Sequence, residues 1–209
     1  MFRASLIQLN TMSNRLYKSG KSTLLSALTF NDAAFWGADI FVGVVFALYI
    51  TQNLGGSAID VGLVFGLYRG VRAFAAIPIG KYLDKIKGHV DEYYTLLVAS
   101  FMVGLTYFSL FFSTELWHVY IGMIAIGIGH SLDIGSWKVL FYGNLPKGSE
   151  GEVIGVYTTV MQIIYGLVTI LAGFVGEKFG FEWILMSAGI LTIVGGLIMF
   201  SIKPTTKSL

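Results

Sequence analysis

The stretch WILMSAGILTIVGGLIMFSI occupies residues 183–202 and contains no ionisable side chain. A transmembrane helix needs about 20 mostly apolar residues, so this segment is long enough to cross a bilayer. Five further runs have the same character, and short segments rich in polar residues and glycine separate them. The sequence therefore predicts six membrane-spanning helices. Their expected bounds are Ala33–Thr51, Val61–Lys81, Tyr94–Ser113, Trp117–Phe141, Val153–Gly173 and Trp183–Ile202.

The composition agrees with a membrane protein along the whole chain. Of its 209 residues, 55% are hydrophobic and 12% are charged, whereas soluble domains carry roughly 25% charged residues. So few charges cannot cover a water-facing surface, which argues against a soluble enzyme or a nucleic-acid-binding protein. The chain has no cysteine, which excludes disulfides and thiolate metal sites. Because the alternating polarity of a β-barrel is also missing, the predicted fold class is an all-α integral membrane bundle.

The distribution of Lys and Arg predicts the orientation. Eleven of these residues fall on the side that holds the N-terminus, only Lys178 falls on the opposite side, and two lie within a span. The positive-inside rule then predicts that both termini are in the cytoplasm, and we expect the protein in the plasma (inner) membrane. The eleven are Arg3, Arg15, Lys18, Lys21, Lys81, Lys85, Lys87, Lys138, Lys147, Lys203 and Lys207.

The chain divides into a cytoplasmic N-terminal segment (1–30), the six-helix domain (31–203) and a cytoplasmic tail (204–209). Phe2, Leu6, Leu9 and Leu16 recur at helical spacing among basic residues. This pattern fits an interfacial amphipathic helix, and a disordered tail fits segment 1–30 equally well.

Ionisable residues inside the predicted spans are the main candidates for a functional site. Each costs about 2.5–3.5 kcal/mol at the centre of a membrane helix, so such residues mark solute and proton pathways. Arg69 and Arg72 share one helical face, as do His130 and Asp133, and Asp39 can reach the same layer of the membrane. The alternative is that the two acids only neutralise the arginines and hold the bundle together.

A polar stripe on the fifth span extends this set. Thr158, Gln162, Tyr165 and Thr169 follow one another at spacings of four, three and four residues. The third and sixth spans lack ionisable residues in their central parts. We therefore expect spans 1, 2, 4 and 5 to surround a polar space, and spans 3 and 6 to face lipid.

Two stretches indicate an internal repeat. Gly80-x-x-x-Asp84-Lys85 ends the second span, and Gly173-x-x-x-Glu177-Lys178 ends the fifth, 93 residues later. The same offset relates Arg69 to Gln162 and Arg72 to Tyr165, and an offset one residue longer relates Asp39 to Asp133. The pattern predicts two three-helix repeats, and because three is odd the second copy is inverted in the membrane.

The segment GKYLDKIKGH at residues 80–89 resembles the signature that follows the second helix in the major facilitator superfamily. Gly80, Asp84 and Lys85 match that signature, whereas Lys87 stands where its second glycine belongs and Gly88 comes one place late. The resemblance implies half of a facilitator-type bundle that carries a small solute by alternating access. It also implies that these five residues form a cytoplasmic gate motif.

The length departs from the family pattern, since members of the family normally have twelve helices. One half supplies one wall of a central cavity, so we expect a homodimer of half-transporters whose two chains face each other. Gly66-x-x-x-Gly70 and Ala125-x-x-x-Gly129 permit close helix packing, either within a chain or between chains.

The predicted function is transport of an anionic or zwitterionic solute, in which Arg69, Arg72, Gln162 and Tyr165 contact the solute. Proton coupling is assigned to Asp39, His130 and Asp133, because histidine titrates near physiological pH. The alternative is a non-transporting membrane subunit, or half of a heteromeric transporter. We expect no enzymatic activity, cofactor, metal or nucleic-acid partner, because the histidines lack metal-ligand spacing. These are His89, His118 and His130.

Overall fold

The computed structural model describes residues 21–85 and 90–201, and these residues contain helices and no strand. The helices are α1 (Lys21–Leu48), which continues as a π-helical turn (Tyr49–Asn53), α2 (Ala58–Leu83), α3 (Val90–Leu110), α4 (Leu116–Gly143), α5 (Glu150–Phe179) and α6 (Phe181–Ser201). All six are long and apolar enough to cross a membrane, which confirms the predicted fold class. Residues 1–20 and the tail 204–209 lie outside the described part of the chain.

The chain has two three-helix units, α1–α3 and α4–α6, and their helices pack against each other symmetrically. α1 packs against α5 and α6, α4 packs against α2 and α3, and α3 packs directly on α6. Exchanging α1–α3 with α4–α6 reproduces this set of contacts. Equivalent helices are separated by three membrane crossings and so run in opposite directions, which is the arrangement of an inverted repeat.

Glycines allow α3 and α6 to cross at close range. A Cβ on Gly104 would lie 2.9 Å from the carbonyl oxygen of Gly189, and a Cβ on Gly189 would lie 2.7 Å from that of Gly104. Only hydrogen fits at such a backbone contact. Gly129 has the same function between α4 and α3, where a Cβ would lie 2.4 Å from a methyl of Val103.

The third and sixth spans, which the sequence predicts to face lipid, expose apolar side chains such as Val98, Leu105 and Leu197 on one side, but they are not the most exposed helices. Their inner faces pack on each other and on α1 and α4, because small residues on these faces allow the close contact. Instead, α2 and α5 are the least covered helices. Only 11% and 17% of the residues in their most apolar windows are buried, against 44% or more in each of the other four helices.

The first helix begins at Lys21, whereas the sequence predicted a start at Ala33. Asn31 and Asp32 are therefore inside the helix and are buried rather than in a loop. At the other end, the hydroxyl of Tyr49 donates to the carbonyl oxygen of Leu110 at 3.0 Å. This bond and the apolar packing around it fix the C-terminal end of α1 against α3, which positions the polar face of α1 described next.

Candidate functional site

Helices α1 and α4 are antiparallel and make two polar contacts with each other. In each contact, an aspartate of one helix meets an aromatic ring of the other. Asp39 Oδ1 lies 3.5 Å from Nε2 of His130, and Trp36 Nε1 donates to Asp133 Oδ2 at 3.1 Å. Trp36 and Asp39 are three residues apart, as are His130 and Asp133, so each pair occupies one helical face. The two contacts lie next to each other in the centre of the bundle.

A hydrogen-bonded chain links His130 to α2. Its Nδ1 lies 2.7 Å from the hydroxyl of Tyr68, and that hydroxyl accepts a hydrogen bond of 2.9 Å from Nη1 of Arg72. On the other side, the hydroxyl of Tyr107 donates to Asp39 Oδ1 at 2.7 Å. His130 is fully buried, so this network holds an ionisable ring away from bulk water while Asp39 keeps 29% of its side-chain surface exposed.

A cavity of about 380 Å³ opens beside this network, between α1 and α2. The guanidinium carbon of Arg72 lies 5.1 Å from the centre of the Trp36 ring, and that of Arg69 lies 5.5 Å from the Tyr68 ring. Within residues 21–85 and 90–201, no carboxylate oxygen comes within 4.0 Å of either guanidinium. The cavity is lined by these polar groups and by Val42, Phe46, Phe65 and Met123.

Such a cavity can bind an anionic group by charge-assisted hydrogen bonds. Arginine presents its donors as a planar fork that matches carboxylate or phosphate oxygens. Stacking on Trp36 and Tyr68 holds the two guanidinium groups in place without neutralising them. Asp39 lies in the same cavity and supplies the opposite charge.

The structure brings together four of the predicted site residues and separates the others. Asp39, Arg69, Arg72 and His130 lie in or against the cavity. Asp133 is fully buried behind the Trp36 ring and does not line it.

The two predicted solute contacts on α5 lie elsewhere. Gln162 is exposed on α5 and Tyr165 is half-buried there, and neither lines the cavity. α5 packs against α1, where Tyr157 donates to Asp32, and neither of these two residues lines the cavity either.

The predicted gate motif is described only in part. Gly80 lies in the last turns of α2, and Asp84 caps that helix, with its backbone N–H bonded to the carbonyl oxygen of Gly80 at 3.1 Å. Asp84 and Lys85 are exposed. Lys87 and Gly88 lie outside the described residues.

Sequence reasoning missed the aromatic partners and one acid. The sequence does not identify Trp36, Tyr68 and Tyr107 as site residues, because an aromatic residue within an apolar helix is not distinguishable from one that packs against lipid or another helix. Asp32 precedes the predicted start of the first span by one residue, although its spacing of four and then three residues from Trp36 and Asp39 puts all three on one helical face. In the structure Asp32 accepts a hydrogen bond from the hydroxyl of Tyr157. No group of three or more metal-ligating side chains occurs among the described residues.

Comparison with known proteins gives a consistent set of matches. A family model described as Major Facilitator Superfamily (MFS) matches residues 24–209. An uncharacterized MFS-type transporter of Methanocaldococcus jannaschii is 23% identical over 160 residues, which cover 77% of this chain and 40% of that protein. An uncharacterized MFS-type transporter of Bacillus subtilis, YitZ, is 25% identical over 158 residues, which cover 75% of this chain and 94% of that protein. The chain thus spans less than half the length of the archaeal relative.

Proposed function

Because this chain belongs to the major facilitator superfamily, a family of membrane transporters, we propose that it carries a small anionic or zwitterionic solute by alternating access. The observation that carries the proposal is the pair of guanidinium groups that face one cavity with no carboxylate partner within 4.0 Å among the described residues. Unpaired charges are costly inside a membrane and are retained where they bind something.

The chemistry of the cavity favours a solute with a carboxylate or phosphate group. Arg72 and Arg69 receive the anionic group, and Asp39, which is 29% exposed, receives the ammonium group of a zwitterion. The apolar lining from Val42 and Phe46 suits a small aliphatic or aromatic body between the charged ends. Gln162 and Tyr165 on α5 are proposed to contact the solute in another conformation of the transport cycle, since neither lines the cavity in this one.

Proton coupling is proposed for Asp39, His130 and Asp133. His130 contacts Asp39 on one edge and Tyr68 on the other, so a proton gained or lost by this ring changes the charge balance next to Arg72. The gate motif, which comprises Gly80, Asp84, Lys85, Lys87 and Gly88, is proposed to hold the cytoplasmic side closed.

The working unit is proposed to be a homodimer in the plasma membrane, with both termini in the cytoplasm. The cavity between α1 and α2 has a wall on one side only, and α2 and α5 are the two helices that this chain leaves uncovered. A Cβ added to Gly62, Gly66 or Gly70 of α2 would meet no atom within 4 Å, so this face is free for close packing against a second chain.

Uptake by purified protein in proteoliposomes tests the proposal. An inward pH gradient should drive accumulation of at least one radiolabelled solute from a panel of monocarboxylates, phosphate esters and amino acids. Arg69→Gln/Arg72→Gln should abolish this uptake, and Lys178→Gln, which removes one charge at the end of α5, should not. Subunit counting in nanodiscs tests the dimer. No uptake from the panel, together with recovery of an unlike partner, would favour a non-transporting subunit.

A further inference from the structure

A second cavity, also of about 380 Å³, lies between α1 and α5 at the end of the bundle where both helices begin. It shares no lining residue with the arginine cavity. Phe30 of α1 and Val156 and Val160 of α5 line it and are exposed, and Leu25 and Val153 line it near the helix starts. The described part of the chain therefore leaves an open apolar depression, which we call the α1–α5 groove.

The polar side chains in this groove are already engaged within the bundle. The hydroxyl of Thr29 donates to the carbonyl oxygen of Leu25 at 2.8 Å, and the hydroxyl of Tyr157 donates to Asp32. A groove whose hydroxyl groups are paired in this way favours apolar side chains over a polar solute.

Two exposed carboxylates stand beside the groove in the first turn of α5. Glu150 and Glu152 come just before Val153, which lines the groove. Among the side chains of residues 23–85 and 90–200, no Lys or Arg nitrogen lies within 4.0 Å of either carboxylate. The rim of the groove is thus negatively charged, and a partner that is apolar on one side and basic on the other complements it.

The part of the chain that precedes α1 has this character. Four of its apolar residues fall within about 80° of one another on a helical projection, and its basic residues are centred about 160° away. The apolar residues are Phe2, Leu6, Leu9 and Leu16. The basic residues are Arg3, Arg15 and Lys18, and residues 1–20 include no Asp or Glu.

We propose that residues 2–18 bind in the α1–α5 groove of their own chain, with their apolar side in the groove and their basic side towards Glu150 and Glu152. Residue 20 is joined to Lys21, the first residue of α1, and Leu25 lines the groove one turn later. So short a connection gives the segment a high effective concentration at the groove.

The lengths of the segment and of the groove agree. On α5 the groove extends over residues 153–164, about 16 Å at 1.5 Å per residue, and a helix over residues 6–16 covers about 15 Å. Gly20 permits the tight reversal that this position requires, because glycine adopts backbone conformations closed to other residues. The reversal places Leu9 beside Val160, and it brings Arg15 and Lys18 to the acidic rim.

Other occupants fit these features less well. The polar stripe of α5, which runs from Thr158 to Thr169, lies about 160° around the helix from Val153 and Val160. A second copy of the chain that covers the stripe side of α5 therefore leaves the groove open. A lipid surface would attract the same basic residues, but that attraction would not depend on Glu150 and Glu152.

The chain has no native cysteine, so disulfide trapping tests the bound position. Leu9→Cys/Val160→Cys in phosphatidylcholine nanodiscs should form an intrachain disulfide on mild oxidation, detected by mass spectrometry as a linked peptide after proteolysis without reductant. Leu9→Cys/Thr158→Cys is the matched control, because Thr158 is exposed at nearly the same depth on the other side of α5. We expect at least about tenfold less product from the control. Equal yields from two variants that elute like the wild type would overturn the proposal.

Charge reversal separates the groove from the lipid surface. Adding Arg15→Glu/Lys18→Glu to the Leu9→Cys/Val160→Cys variant should lower the rate of disulfide formation by about fivefold, the effect of two exposed ion pairs. Further addition of Glu150→Lys/Glu152→Lys should restore the rate.

Two other outcomes would assign the segment to a different partner and overturn the proposal. A rate that the second reversal does not restore, or that rises only when phosphatidylglycerol is added, would assign the segment to the lipid surface. A disulfide-linked dimer in place of the intrachain product would assign it to a second copy. None of these measurements needs a solute, so the proposed function and this proposal can each fail alone.

Discussion

Trp36 and His130 occupy equivalent positions in the two three-helix units, and their rings pack with centroids 4.8 Å apart. They are separated by 94 residues, as are Asp39 and Asp133. Each ring contacts the carboxylate of the opposite unit. The contact between the two rings therefore lies at the centre of the symmetry that relates the two units. The units differ chemically at this point, because an indole only donates whereas an imidazole donates, accepts or carries charge.

The Tyr107 hydroxyl is a second partner of Asp39, and its removal should be measurable. Tyr107 is 2% exposed and donates to Asp39 at 2.7 Å. We expect Tyr107→Phe to lower the free energy of unfolding by about 1.5–3 kcal/mol, the usual contribution of a hydrogen bond to a charged group. Unfolding by a denaturing detergent measures this change. Tyr82→Phe, at a position that is 52% exposed, is the matched control and should have no effect.

Much of the fold could be predicted from the sequence because membrane helices are long and apolar. The existence and order of six spans follow from hydropathy, and the relation of Asp39 to Asp133 follows from the repeat. The start of α1 could not be predicted, because the polar pair Asn31 and Asp32 interrupts the apolar run, and hydropathy does not show that these residues bond to Ser100 and Tyr157 across the bundle.

The candidate site was predictable in its charges but not in its geometry. Sequence spacing places Arg69 and Arg72 on one helical face, and His130 and Asp133 on another. It does not show how these faces of different helices pack against each other. The structure puts Trp36 between the arginine cavity and Asp133, so charged groups expected in one cluster occupy two. Aromatic partners decide this arrangement, and they have no signature within an apolar helix.

The crossing of α3 and α6 should be intolerant of a single methyl group. A Cβ on Gly189 would lie 2.7 Å from the carbonyl oxygen of Gly104 and 2.9 Å from the backbone nitrogen of Phe108. Backbone atoms cannot move aside, so Gly189→Ala should destabilise the protein by about 1–3 kcal/mol. Gly151→Ala on α5 adds the same methyl where nothing lies within 4 Å. Thermal unfolding of both variants tests this difference, and equal stability would contradict the close crossing.

Asp39 should distinguish a zwitterionic from an anionic solute. Its carboxylate shares the cavity with Arg69 and Arg72 and is the acidic group exposed there. Asp39→Asn keeps the shape of the side chain and removes the charge, so uptake of an amino acid should fall by about tenfold or more, the loss expected for one charged hydrogen bond. Exchange of a monocarboxylate should fall less when both solutes are measured by counterflow without a pH gradient, because its negative end contacts arginine only and the proposed coupling role of Asp39 does not enter. An equal loss for both classes would argue against a cationic subsite at Asp39.

The uncovered faces of α2 and α5 should meet across the dimer, and the absence of native cysteine makes this directly testable. In a twofold dimer that covers both faces, α2 of one protomer lies against α5 of its partner. Gly66 and Thr169 are both exposed, and they lie similar distances from the middle of their helices, Gly66 towards the N-terminal end of α2 and Thr169 towards the C-terminal end of α5. Three membrane crossings separate α2 from α5, so these two ends lie on the same side of the membrane. Gly66→Cys combined with Thr169→Cys should therefore form a disulfide-linked dimer on oxidation in native membranes.

Val98→Cys, exposed on the outer face of α3, is the control and should stay monomeric on a denaturing gel. Crosslinking of Val98→Cys alone, with none at α2 and α5, would place the interface on the α3 side and leave the arginine cavity facing lipid. Because unpaired guanidinium groups are costly in lipid, that result would also contradict the dimer proposed here.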